Sequence, residues 1–208
     1  SLTLPSWAAD TDWYDEITRN ARIQSHDVSL SGGNSNSKFY ASLNYFEQQG
    51  IQIENFYERF TTRFNSEFNI KDRVTLGQNM TVSATTDNGA AGNGEEGGFM
   101  AMGVYRTQPI IPKIWNNGTF TGLSHTFENG DFGGTGIAPR LGNGDNYFAT
   151  ASRNKDDRGR NIRLLGNVFA DVKIIDGLNF RTSFGGNWGY YYFTNWTSST
   201  YESAENVA

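Results

Sequence analysis

The chain has no cysteine in its 208 residues, which removes disulfides and thiolate metal sites. Histidine is nearly as scarce. His26 and His125 are the only two, far apart and with no acidic partner at a readable spacing, so a histidine-rich zinc site is not indicated. No run of ~20 consecutive apolar residues exists, so no segment is long enough to cross a bilayer as a helix. The opening Ser1-Leu2-Thr3-Leu4-Pro5 lacks the basic region and apolar core of a secretory leader. The chain therefore reads as a mature protein or as an internal fragment. Its charge is mildly acidic, net −5, with no basic patch that would speak for nucleic acid. A catalytic triad, a metalloprotease helix, a phosphate-binding loop and a nucleophile elbow are all missing. Glu95-Glu96 lies among glycines, which fits a solvated loop better than two carboxylates held at a fixed separation. No catalytic residue, cofactor or metal is assigned, and the chain is not read as an enzyme.

What the chain does have is aromatic side chains, 15 Phe, 10 Tyr and 5 Trp, set into long alternating runs. Over Arg59–Ile70, Phe60, Thr62, Phe64, Ser66, Phe68 and Ile70 alternate with Arg59, Thr61, Arg63, Asn65, Glu67 and Asn69. Only an extended strand turns a period of two into two faces. After Lys71-Asp72-Arg73 the pattern resumes as Val74, Leu76, Met80, Val82 and Ala84 against Thr75, Asn79, Thr81, Ser83 and Thr85, which predicts a hairpin. Similar runs predict strands over Gln24–Gly32, Lys38–Gln48, Asn161–Lys173 and Leu178–Trp196. Leu165 and Phe169 interrupt the alternation of the fifth strand. A transmembrane strand needs only ~10 residues, half of them polar, so low mean hydropathy is compatible with a membrane wall. Phe60, Phe64, Phe68, Val74, Leu76, Met80 and Val82 share one parity and are expected to face lipid.

The connections alternate in length. Gly33–Ser37, Lys71–Arg73 and Ile175–Gly177 are short. Between Thr86 and Arg160 the period disappears, and three of the four prolines fall there. Short turns on one side and long loops on the other are the asymmetry of outer-membrane barrels. Six strands cannot close a wide barrel, and two long unpaired edges would invite aggregation. The fold class expected is therefore all-β: an antiparallel transmembrane β-barrel segment with one long extracellular loop. The expected layout is a leading segment or first strand over 1–22, four strands over 23–85, the loop over 86–160, a hairpin over 161–196 and the start of another outer loop over 197–208. A soluble carbohydrate-binding β-sandwich is the alternative, but its strands should run only ~5–6 residues. A secreted β-rich enzyme lacks any convergent acid–base set.

Candidate sites carry competing readings. Tyr45, Phe46, Phe56, Tyr57 and Trp188–Trp196 gather near the outer strand ends. They suit sugar stacking, or more simply the aromatic girdle at a membrane interface. Trp115, Phe120, Phe127, Phe132 and Tyr147 fall in the long loop and could touch a substrate or a partner protein. The other reading is a private core that keeps the loop folded. Arg59, Arg63, Asn65, Glu67, Asn79, Arg163, Asp171 and Arg181 are expected on the polar, lumen-facing side, as cross-strand partners or cargo contacts. Asp145 with Asn143 and Asn146, and Asp131 with Asn129, are oxygen-rich but lack the spacing of a calcium loop. Phe99–Thr107 predicts a short helix stopped by Pro109 and Pro112. Asn116–Arg160 is expected to order mainly through a partner, with Thr121–Tyr147 carrying the contact surface or mobile without it.

Several segments, in order, resemble the early barrel of SusC/RagA-type TonB-dependent transporters. They are Thr11-Asp12-Trp13-Tyr14-Asp15-Glu16-Ile17, Val28-Ser29-Leu30-Ser31-Gly32-Gly33, Tyr40-Ala41-Ser42-Leu43-Asn44-Tyr45, Gln49-Gly50-Ile51 and Tyr57-Glu58-Arg59-Phe60. Gln108-Pro109-Ile110-Ile111-Pro112 and Asn116-Asn117-Gly118-Thr119-Phe120 resemble that family's long extracellular segment. Arg163-Leu164-Leu165-Gly166-Asn167 and Ile175-Asp176-Gly177-Leu178-Asn179-Phe180-Arg181 resemble its next hairpin. The resemblance implies six to seven strands of a barrel of about 22 in the bacterial outer membrane. It further implies a SusD-like lipoprotein lid, glycan or peptide cargo, and a TonB complex engaged through an N-terminal part that these residues do not match.

Overall fold

The computed structural model describes residues 3–71, 73–88 and 104–203. Six long strands form one antiparallel sheet in the order β1-β2-β3-β4-β7-β8. They are β1 (Ile23–Gly33), β2 (Ser37–Gln49), β3 (Phe56–Ile70), β4 (Val74–Asp87), β7 (Arg158–Ile175) and β8 (Leu178–Thr194). Strands of 11 to 18 residues are two to three times the length usual in a soluble sandwich. All the predicted strands are present, each reaching at or past its expected ends except β8, which stops at Thr194. A two-stranded ribbon, β5 (Phe120–Thr121) with β6 (Thr126–Phe127), lies in the long loop.

Register carries the alternation of single strands across the whole sheet. Tyr45 pairs with Phe60, Phe60 with Ala84, Ala84 with Ile162 and Ile162 with Tyr190. Further along, Ala41 pairs with Phe64, Phe64 with Met80 and Met80 with Gly166, which pairs with Gly186. Directly paired residues share a face, so Phe60, Phe64, Phe68, Val74, Leu76, Met80 and Val82 lie on one continuous apolar surface. Its large side chains are open, Phe64 being 38% exposed and Phe184 78%. The opposite face carries Arg59, Arg63, Asn65, Glu67, Asn79, Arg163, Asp171 and Arg181. There Asn79 donates to Asn167 at 3.0 Å and Arg181 lies 3.9 Å from Asp171. A polar hollow of about 470 Å³ opens on this face beside Asp27, Asn44, Arg59 and Arg63.

Phe169, which blurred the alternation, points to the polar face. Its ring covers Gly77, and the Arg181 guanidinium lies 4.5 Å above that ring. A Cβ at Gly77 would fall inside the ring's van der Waals envelope. Gly77→Val should displace Phe169 and destabilise the sheet by about 1–3 kcal/mol, read by denaturant unfolding. The strand-end aromatics divide between faces because neighbours along a strand alternate. Tyr45, Phe56, Trp188, Tyr190 and Tyr192 lie on the apolar side, with Phe46, Tyr57, Tyr191 and Phe193 opposite.

The short turns lie at one end of the sheet. Lys71 (φ 50°) and Gly177 (φ 86°) supply the left-handed conformations these tight turns require. At the other end the chain builds a cap from residues 3–22, 50–55, 104–157 and 195–203. Residues 3–22 hold no strand among the described residues, which corrects the expected first strand. They form α1 (Trp13–Ile17) and a single bridge from Thr18 to Gln52. Of the expected helix over Phe99–Thr107, residues 99–103 lie outside the described residues, and 104–107 make a turn. The fully buried side chains belong almost entirely to the cap, because a single sheet with two open faces encloses nothing.

Candidate functional site

The cap is a small folded body assembled from distant parts of the chain. Asp12 caps α1, its carboxylate accepting from the backbone N–H groups of Tyr14 and Asp15 at 3.0 and 3.2 Å. Trp13 and Ile17, four residues apart, then share the buried side of that short helix. Trp13 Nε1–H donates to the Gln108 carbonyl at 3.1 Å, and Thr11 Oγ1–H donates to that of Ile111 at 2.8 Å. Glu16 forms an ion pair with Lys113, whose ammonium lies 4.7 Å above the Phe148 ring. The leading segment and the Pro109–Pro112 piece thereby lock together.

The core behind them joins Trp13, Ile111, Trp115, Phe127, Ile137 and Leu141. Trp115 packs on Phe120 and Phe127 with ring centroids 5.2 and 5.7 Å apart, and its Nε1–H donates to the Gly118 carbonyl at 2.6 Å. Asn146 is 1% exposed and caps α2 (Tyr147–Asn154) by accepting from the Ala149 N–H. Its amide donates to the carbonyls of Lys113 and Gly133 at 2.9 and 2.8 Å, tying both halves of the loop together. Asn146 therefore acts as a structural hub and not as a calcium ligand.

The segment after β8 is clamped onto this body. Arg153 on α2 holds Glu202 with two parallel bonds of 2.5 and 2.9 Å, and these side chains are 11% and 5% exposed. The Gly136 N–H donates to the Glu202 carbonyl, and a Cβ at Gly134 would collide with that carbonyl, one at Gly136 with Ser124 Oγ. Tyr201 accepts from the Phe132 N–H and reaches Asp131. Its ring packs on His125 at 4.3 Å between centroids. His125 Nε2 lies 3.1 Å from Asp131 Oδ2, an acidic partner six positions on that no motif spacing announces. Asp131 also accepts from the Glu128 N–H, and Asn129 from the Gly118 N–H, so both candidate calcium oxygens are engaged within the loop.

Burial alone would raise the Glu202 carboxyl, but the Arg153 guanidinium and backbone N–H groups outweigh it and hold it below the ordinary glutamate range. At Asp131, burial is likewise outweighed by the Glu128 N–H, His125 and Tyr201, and the carboxyl is lowered. Both folded values lie below the unfolded ones, so this stabilisation is complete above the unfolded range of about pH 4. It disappears as pH falls through the depressed folded values. Protection factors over 131–137 and 201–203, with the intrinsic pH dependence of exchange divided out, should therefore be constant near neutrality and fall only in strong acid.

The loop aromatics do not share one role. Trp115 and Phe127 are 1% and 0% exposed, which fits the private core of the two readings and not contact with substrate or a partner. Phe120, Phe132 and Tyr147 are half-buried. Phe127, Ile137 and Leu141, from the half expected to order mainly through a partner, pack on a core shared with Ile111 and Trp115. The residues the sequence did not single out, Arg153, Tyr201 and Glu202, carried no local signal. Glu95-Glu96 lies outside the described residues. Among the described residues no group of three or more ligating side chains could hold a metal.

No protein-family model matches the chain. The chain is 34% identical over 182 residues to TonB-dependent receptor P3 of Formosa agariphila, covering 85% of this chain and 16% of that receptor. It is 28% identical over 197 residues to TonB-dependent receptor SusC of Bacteroides thetaiotaomicron, covering 86% of this chain and 18% of SusC. Among solved structures it is similar to the RagAB peptide transporter at a TM-score of 0.58 and 20% identity, over 86% of this chain and 19% of that one. The RagAB peptide importer in a closed-closed state matches at a TM-score of 0.57. The chain thus spans less than a fifth of the length of these relatives. Matched by its own sequence to those receptors and by its six-stranded sheet to the RagAB barrel, the chain belongs to the SusC/RagA-type TonB-dependent transporters, as a segment of their β-barrel.

Proposed function

We propose that this chain is wall and outer rim of an outer-membrane importer that takes up glycan or peptide oligomers under a SusD-like lipoprotein lid. TonB energises that importer through an N-terminal part beyond this segment. The observation that carries the reading is the single sheet with one apolar and one polar face, all of its long connections gathered into a cap at one end. On this reading the apolar face, including Phe60, Phe64, Phe68, Val74, Leu76, Met80 and Val82, meets outer-membrane lipid. The polar face lines the lumen. The cap, through the exposed Leu123 and the half-buried Phe120, Phe132 and Tyr147, meets the lid or the cargo.

Amide exchange on the full-length transporter tests this, with and without its lid lipoprotein and with candidate glycans and peptides. The expected result is added protection within 120–132 on addition of the lid or of one cargo class. If neither partner changes exchange anywhere in the cap, the cap is only a structural plate and the reading is wrong. A second reading, a soluble carbohydrate-binding sandwich, has no observation in its favour.

A further inference from the structure

On the apolar face the β7–β8 pair forms a ladder whose chemistry changes with height. Val168 faces Phe184, and next come Gly166 opposite Gly186, then Leu164 opposite Trp188 and Ile162 opposite Tyr190. Above these lie Arg160 opposite Tyr192 and Arg158 opposite Thr194. Two glycines directly opposite each other leave a dent between large apolar neighbours. It is part of an open cavity of about 360 Å³ lined by Met80, Leu164, Val168, Phe184 and Trp188. A Cβ at Gly186 would meet nothing within 4 Å, so the gap opens on the face and is not filled from beneath.

The Trp188 and Tyr190 rings stack at 6.5 Å with 9° between planes. Arg158 is fixed by bonds to the carbonyls of Lys155 and Asp157, its guanidinium 4.9 Å above Phe56. The Arg160 side chain is exposed and has no hydrogen bond or ion pair among the described residues. In the same register row, three and two strands away, the face is acidic: Glu47 pairs with Glu58, and the nearby Arg22 is held by Glu47. Positive charge at this level therefore concentrates over the glycine dent.

We infer that the β7–β8 ladder binds an anionic glycolipid of the outer leaflet. Its phosphate is held by Arg160 and Arg158, and an acyl chain lies down the groove past Trp188 into the Gly166–Gly186 dent. The inference rests on the lipid-facing reading of the apolar face proposed above. An arginine fork suits a phosphate, and an unpaired arginine at an interface gains most from one. From Arg160 to the dent is about 20 Å along the strand. At a tilt of about 45° that is about 14 Å of depth, within one leaflet.

The test uses the full-length transporter in detergent, with binding read by native mass spectrometry. The probes are a bisphosphorylated lipid A, the same lipid A stripped of phosphate, and inorganic phosphate. The bisphosphorylated form should bind at least about tenfold tighter than the stripped one, and Arg160→Gln should erase that difference. Gly186→Leu, which fills the dent, should weaken both lipids. Arg73→Gln, a cation at the far end of the sheet, should change nothing. Equal binding of the two lipids, or an Arg73→Gln effect matching that of Arg160→Gln, would overturn the inference. So would inorganic phosphate displacing the lipid at equal concentration. If neither lipid binds, the inference also fails, while the effect of Phe64→Arg on stability judges the lipid-facing reading independently.

Discussion

On the lipid-facing reading proposed for the apolar face, Phe64→Arg should lower the folding stability of the full-length barrel in vesicles by about 2–4 kcal/mol, the cost of an arginine near the bilayer midplane. Phe64 stands between Ala41 and Met80 in the middle of the apolar surface. That surface runs along β3 from Phe60 to Ile70, about 33 Å of strand, or about 24 Å of height at a 45° tilt. This matches the ~25 Å apolar band of such barrels, with Phe64 well inside it. Arg63→Ala, one residue away on the opposite face, should cost within about 0.5 kcal/mol, as for an exposed polar site. Urea titration of both variants gives the comparison. Equal effects from the two would mean that the faces are not lipid and water, and the wall assignment would fall.

Arg153→Met should destabilise the cap locally by about 3–5 kcal/mol, because it strands the Glu202 carboxylate in a buried site. The pair is bidentate and nearly enclosed, and it fastens the segment after β8 to α2. Pairing Arg153→Met with Glu202→Leu should recover most of the loss, since two apolar groups leave no uncompensated charge. Amide exchange over 131–137, 147–154 and 201–203 is the proper readout, because the cap can open while the sheet stays intact. Exchange in those segments that is unchanged in the single variant, or equally raised in single and double variants, would show that the ion pair does not fasten the cap.

The strands were legible from the residues because their information is local. A period of two, repeated over ten or more positions, has one physical solution, and three short turns set the register. Even the irregular Phe169 became intelligible only when its strand partner was seen to be Gly77, a contact between residues remote in sequence. The cap shows the same limit more severely. Trp13 meets Gln108, Glu16 meets Lys113, and Arg153 meets Glu202 across 95, 97 and 49 positions. None of these pairs carries a spacing that could announce it. Asn146, Asp131 and Asn129 looked like oxygen ligands because carboxylates and amides that cap helices and turns are chemically the same groups that bind cations. Likewise the loop aromatics were recognisable as a set, but which of them face inward depends on how four segments of the chain converge.

Thus the two-faced sheet, its hairpin order and the side on which the long loops fall follow from alternation and turn chemistry, which act between near neighbours. The burial of Trp115 and Phe127, the Arg153–Glu202 clamp and the concentration of cation above a glycine dent on β7–β8 arise only in three dimensions. Each depends on long-range packing or cross-strand register, where the decisive neighbour is supplied by a different stretch of chain.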